Sequence, residues 1–233
     1  MAKIIHLDTL GGLPTRLIKM MQRHTEIYRS TNYLCDEINN DTDLMETAIA
    51  INDFCIQHEV KGYHYTRAFP DEIRTNGLLC RTGEEIRNEF LLHHAHIFNE
   101  SELQEVKEIW AQYFKPSQVR SRDCRIYFNA TKYALNDPGS ASLINHFGGE
   151  QIHLPLNPRP DLIQKLSQIG KPLLVTFKTN GAIRRALDYE DYWGTVALST
   201  YHRMVNPEAS THDVDAFSTE AVMPQDILAL TAL

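Results

Sequence analysis

Through the first sixty residues the apolar positions recur at helical spacing. Leu44, Ala48, Ile51 and Cys55 make one helical face, and Asp43 with Glu46 predicts a capping box ahead of them. The pattern then changes. Gly62-Tyr63-His64-Tyr65-Thr66 is short and rich in β-formers, so a strand is expected there. Pro70 suits the first turn of a helix, and Gly77 ends that helix after Asp71 to Asn76. Thr82 with Glu85 predicts a second start, with Ile86, Phe90 and Ile97 on one face. Ser101 with Gln104 predicts a third, followed by Leu103, Val106, Trp110, Tyr113 and Phe114, and Pro116 closes it. From residue 124 the chain reads mostly as strands: Cys124–Asn129, Gln151–Leu156, Pro172–Lys178, Gly194–Tyr201 and Ala216–Met223. Short helices are expected around Ser140–His146 and Pro160–Gln168. Apolar runs separated by Gly, Pro and Asn suggest a compact sheet assembly and not a parallel βαβ repeat. The expected class is α+β, with a helical segment over 1–59 packed on a core over 60–233.

Composition narrows the functional classes. The 233 residues are 42% hydrophobic and 23% charged, which is ordinary for a globular protein. No apolar run is long enough to span a bilayer, so no membrane partner is expected. Met1 to His6 lack a signal-peptide pattern, which predicts a cytoplasmic protein, although export by a dedicated machine would read the same way. The net charge of −7 argues against a broad grip on nucleic acid, whose affinity comes from neutralising phosphates. Arg120, Arg122 and Arg125, and likewise Lys178, Arg184 and Arg185, read as solvated surface. Cys35, Cys55, Cys80 and Cys124 form no CxxC pair and read as free thiols.

Several familiar chemistries are missing. There is no GxGxxG after a strand, no GxxxxGK[ST], no HExxH and no GxSxG. Gly11-Gly12 and Gly148-Gly149 read as turns. His93-His94-x-His96 lacks a carboxylate or Cys at ligand spacing, so no metal is expected, and His212-Asp213 with Asp215 read as turn formers.

Three segments remain that carry a signal together and in order. The first is the strand Gly62 to Thr66 with the helix and Gly77-Leu78 exit behind it. The second is Arg125-Ile126-Tyr127-Phe128-Asn129-Ala130-Thr131-Lys132-Tyr133-Ala134. The third is Phe217-Ser218-Thr219-Glu220-Ala221-Val222-Met223-Pro224-Gln225-Asp226-Ile227-Leu228. Singly, each also reads as packing: an incidental His, two core aromatics, an edge-strand Glu. In conjunction they resemble the ADP-ribosyltransferase superfamily, in its poly(ADP-ribose) polymerase and diphtheria-toxin branch, which uses His, Tyr and Glu on early, middle and late strands. The pattern is most similar to the bacterial toxins that modify DNA bases. The resemblance covers roughly residues 60 to 233 in patches, and the helical residues 1–59 have no counterpart in it.

The resemblance implies a split β-sheet core that binds NAD as co-substrate and breaks its nicotinamide–ribose bond. Positive charge develops on the sugar as nicotinamide leaves, and a carboxylate stabilises it best where water is excluded. By resemblance Glu220 holds the 2′-hydroxyl of that ribose, and His64 hydrogen-bonds the adenosine ribose. The backbone of Tyr65 fixes the carboxamide. Tyr127 stacks on the nicotinamide ring, and Thr66 and Tyr133 complete the binding set. Strand alternation puts His64 and Thr66 on one face and Tyr63 and Tyr65 on the other. Two departures matter. The common His-Gly-Thr is here His64-Tyr65-Thr66, so the Tyr65 side chain must point away. Ser218 stands where arginine-modifying members carry a second Glu, which argues against arginine as acceptor. Protein, DNA, RNA or water stay open as acceptors. A non-catalytic module for NAD, ADP-ribose or a protein is the alternative on the same fold. An NAD-dependent RNA 2′-phosphotransferase is disfavoured by the acidic charge. The N-terminal helices could dock a partner, and a toxin or defence role is implied only by the company the family keeps.

Overall fold

Local sequence accounts for most of the helix boundaries. The computed structural model describes residues 4–182, 184–185, 192–213 and 215–233, with backbone alone at Cys35, Asp36, Asn39, Arg184 and Arg185. Helices α1 (Thr15–Arg23), α2 (Thr25–Ser30), α3 (Leu34–Asn40) and α4 (Thr42–Cys55) open the chain. The buried face of α4 carries Leu44, Ala48, Ile51 and Cys55, as the spacing predicts. Its cap is Asp41, not Asp43. Asp41 has the extended backbone a cap requires and accepts from Leu44 N at 2.9 Å, whereas Asp43 already lies in the first turn. Strand β1 (Glu59–Ala68) follows, then α5 (Pro70–Asn76) with Pro at its start and Gly77 past its end.

Helix α6 (Gly83–His94) opens on the Thr82–Glu85 capping box. Helix α7 (Glu100–Tyr113) opens on Asn99 with Glu102, two residues before the expected Ser101 and Gln104. Asn99 is extended and its side chain can accept from Glu102 N, while Ser101 is already helical. Pro116 does more than close that segment, because it starts α8 (Pro116–Arg122). Then come β2 (Ile126–Phe128), α9 (Pro138–Asn145), α10 (Pro160–Leu166), β3 (Lys171–Asn180), β4 (Arg184–Arg185), α11 (Tyr192–Val205), β5 (Ala216–Ser218) and β6 (Ile227–Ala232). The molecule is thus mixed helix and strand, of the α+β class. Its strands pair in the orders β1-β3-β6 and β2-β5-β4, with β4 and β5 antiparallel.

Two expected strands are not strands. Gln151–Leu156 forms turns and a short 3-10 segment at Leu154–Leu156, where Pro155 cannot donate to a ladder. Gly194–Tyr201 lies inside α11. That helix is buried on almost every side, so it shows no polar stripe, and Thr195, Val196 and Thr200 made it read as a strand.

The chain divides into two compact units: Met1–Tyr63 with Tyr127–Ala134 and Phe177–Phe217, and His64–Ile126 with Leu135–Thr176 and Ser218–Leu233. In the first, α11 packs on α4. Gly194 makes this approach possible, since a Cβ there would meet the Ala48 carbonyl oxygen at 1.9 Å. In the second, Phe90, Val106, Trp110, Ile152, Leu156, Leu162 and Leu166 form the core. Trp110 Nε1 donates to the Ile152 carbonyl at 3.1 Å, which ties the irregular segment to α7. Among the described residues no helix is long and apolar enough to cross a membrane.

Candidate active site

Strand β1 sorts its side chains as the alternation predicts. Tyr63 and Tyr65 are buried, at 0% and 3% exposure, while His64 and Thr66 between and after them are half-buried. The bulky Tyr65 ring therefore packs inward. Before the tyrosines Gly62 allows tight packing, because a Cβ there would meet the rings of Phe128 and Phe177 at 2.8 and 2.9 Å. Arg67 anchors the strand's far end by donating to the carbonyls of Ile169 and Gly170 at 2.7 and 3.3 Å.

Glu220 belongs to the same unit as His64, Tyr65 and Thr66. The chain links them through α5. Beyond that helix Gly77 adopts φ +73°, and Leu78 then pairs with Val222 through two backbone hydrogen bonds of 2.9 Å. A Cβ on Gly77 would sit 1.9 Å from the Val222 carbonyl oxygen, so only glycine allows this closeness. Glu220 itself is not on a strand. β5 stops at Ser218, whose hydroxyl accepts from Glu220 N at 3.0 Å and donates to Glu220 O at 2.9 Å. That local turn replaces the ladder, so Ser218 and Glu220 do not share a strand face, and Glu220 is exposed on a bend.

Tyr127 and Tyr133 belong to the other unit. On β2, Phe128 is core and packs edge-on against Phe177 at 5.2 Å, while Tyr127 is half-buried with its ring 5.4 Å from that of Phe217. Tyr133 opens a 3-10 turn, half-buried, with the Arg203 guanidinium 5.1 Å from its ring centroid.

Sequence reading passed over one residue of this unit. Asp213, expected to be a turn former, receives four donors: Thr131 N and Oγ1 at 2.7 and 2.5 Å, Ala130 N at 3.1 Å and Tyr192 Oη at 3.3 Å. Burial pushes its pKa up to about 7, against these hydrogen bonds, which favour the ionised form. No spacing rule would have found it, since the donors lie roughly 80 residues upstream and 21 residues upstream in the chain.

The other sequence candidates resolve into structure. His94 sits against Phe69 and Phe147 at 5.9 and 4.9 Å, and burial together with His93 and His96 holds its pKa down. Among the described residues no group of three or more His, Cys, Asp or Glu is placed to hold a metal ion. Arg122 pairs with Glu150 and Lys178 with Glu59. The side chains of Arg184 and Arg185 lie outside the described residues. Gly12, Gly148 and Gly149 all take positive φ, as turns require. No family model, no curated protein and no solved structure matches this chain.

Proposed function

We propose that this protein is an NAD-consuming enzyme of the ADP-ribosyltransferase type. It transfers ADP-ribose to a macromolecule, or acts as an NAD glycohydrolase when water is the acceptor. The observation that carries the reading is the link between two of the three family-like segments. The strand bearing His64 runs through α5 and Gly77 to Leu78, which pairs with Val222 two residues beyond Glu220. The half-buried placement of His64 and Thr66, opposite inward tyrosines, supports it further.

In this reading His64 contacts the adenosine ribose, Thr66 belongs to the NAD-binding set, and the Tyr65 backbone fixes the nicotinamide carboxamide. By the family resemblance Tyr127 is the residue that stacks on nicotinamide and Tyr133 belongs to the binding set, both carried on the other compact unit. Glu220 holds the 2′-hydroxyl and stabilises the positive charge that grows on the ribose as the glycosidic bond breaks. Ser218 in place of a second Glu removes arginine from the acceptors the family pattern favours.

One observation favours a second reading. Glu220 is exposed on a bend, and a carboxylate in contact with water stabilises a developing cation less well. A non-catalytic module that binds NAD or ADP-ribose accommodates that exposure. The two readings part on one experiment: the protein is incubated with NAD, with and without cell lysate, and nicotinamide release is followed beside Glu220→Gln. Release that depends on Glu220 is the expected result, and its lysate dependence separates transfer from hydrolysis. NAD binding without release from the unmutated protein overturns the enzyme reading in favour of the module.

A further inference from the structure

Four donors converge on the Asp213 carboxylate, and they divide cleanly between its oxygens. Oδ2 accepts from Thr131 N and Oγ1, and Oδ1 accepts from Ala130 N and Tyr192 Oη. The Asp213 backbone carbonyl accepts from Asn129 Nδ2 at 3.3 Å, and Asp215 Oδ1 accepts from the same amide at 3.3 Å. The relay goes one step further, because Thr131 Oγ1 also accepts from Tyr133 N at 3.3 Å. Asn129 and Thr131 are 5% and 1% exposed, so water does not substitute for these partners. Tyr192 begins α11, which is itself held where Trp193 N donates to Asn52 at 3.2 Å. The carboxylate thus ties the turn after β2 to the start of α11, within one compact unit.

We propose that Asp213 is the positioning residue of the candidate nicotinamide-binding segment, fixing the turn between Tyr127 and Tyr133 to α11 before NAD arrives. The inference rests on the role given to Tyr127 above. It supplies what stacking needs and the strand alone does not: β2 is three residues long, and Tyr133 lies beyond it in an irregular turn. Ordering that turn in advance removes an entropy cost from binding.

Only the ionised carboxylate accepts at all four places. A proton on Oδ2 would set an O–H against the Thr131 N–H. Burial nevertheless outweighs these donors and lifts the Asp213 pKa to about 7, so ionisation is costly in the fold and the tie loosens as pH rises through neutrality. Among the described residues, Tyr192 from α11 and, on its own segment, His212 and Asp215 are titratable groups beside it. Burial and Asp213 hold Tyr192 well above the ordinary tyrosine range, so it stays a donor throughout.

Asp213→Asn tests this, because it keeps the shape but turns one acceptor oxygen into a donor. Whichever way the amide faces, one pair of donors loses its partner. Amide exchange at Ala130 and Thr131 and steady-state kinetics with NAD are measured on the full chain. Protection at those amides is expected to fall by about tenfold or more, the scale of one hydrogen bond to a charged group. KM for NAD is expected to rise about tenfold while kcat changes little. The unmutated protein's KM should rise between about pH 6 and pH 8 as the buried carboxylate ionises, a dependence the variant lacks. Unchanged protection overturns the tie itself. Lost protection with an unchanged KM makes Asp213 purely structural and overturns the positioning role. An unmutated protein inert towards NAD sinks the reading of the site, while exchange still decides the tie. Should Asp213→Asn not fold, Tyr192→Phe removes the α11 side of the tie alone, and an unchanged KM there is equally damaging.

Discussion

Gly77 holds φ +73° against the Val222 carbonyl, and it carries the bend that bears Glu220 back toward the end of α5. Gly77→Ala adds a Cβ 1.9 Å from that oxygen in a backbone region that L-residues avoid. The expected cost is about 2–3 kcal/mol in chemical denaturation, together with loss of exchange protection at Leu78 and Val222. Glu220→Gln should behave oppositely. The side chain is exposed, so the unfolding midpoint should stay put while nicotinamide release falls roughly 30- to 1,000-fold, or about 2–4 kcal/mol. A variant that keeps full release removes Glu220 from the mechanism. Residue identity made His64, Tyr127 and Glu220 legible as candidates because each sits in a short ordered context. Asp213 was illegible for a physical reason: its role comes from donors that are distant in sequence and meet it only in the folded chain.

At the scale of elements, short-range chemistry was read well where it is local and poorly where burial is uniform. The Thr82 capping box, the Pro70 start and the Gly77 stop of α5 all follow from neighbours within four residues. The cap of α7 shows how finely that rule operates. Asn99→Ala should cost about 1 kcal/mol of stability, whereas Ser101→Ala, on the exposed first turn, should change it by less than about 0.5 kcal/mol. Equal losses at the two positions would contradict the assigned cap. Helix α11 shows the opposite case, since a helix enclosed by the protein needs no polar face and so leaves no period to detect. Its Gly194 is a contact residue. Gly194→Ala, which stabilises an exposed helix by about 1 kcal/mol, should here destabilise by about 2 kcal/mol or more. The reason is that the new Cβ would lie 1.9 Å from the Ala48 carbonyl oxygen. Thermal unfolding of the variant decides the sign.

For the whole molecule, pH exposes what burial has done to single groups. His153 is 1% exposed, its Nε2 lies 2.9 Å from Ser142 Oγ, and burial with His146 nearby pushes its pKa from 6.5 down to about 4. A depressed folded pKa means that the unfolded chain takes up the proton first. The stability His153 contributes is therefore complete above about pH 6.5 and is lost as pH falls to about 4, some 3 kcal/mol in all. Asp213 runs the other way across much of that window, because its raised pKa makes ionisation costly in the fold. The contribution of His153 is therefore read as the difference between the unmutated protein and His153→Gln in urea unfolding at about pH 7 and pH 4.5. That difference should shrink towards the acid end, and a constant difference would mean the imidazole titrates normally. The sequence by itself determined the α+β class, the helical beginning, most helix ends and the β1 alternation that turns His64 and Thr66 away from the buried tyrosines. These depend on side-chain period and on caps, which act over a few residues. Tertiary structure alone decided that Gly194–Tyr201 is a buried helix, that Gln151–Leu156 is irregular core, that Glu220 stands on a bend, and that Asp213 gathers its donors. Each of those depends on which distant segment supplies a hydrogen bond or takes up space, and periodicity along one chain carries no record of that.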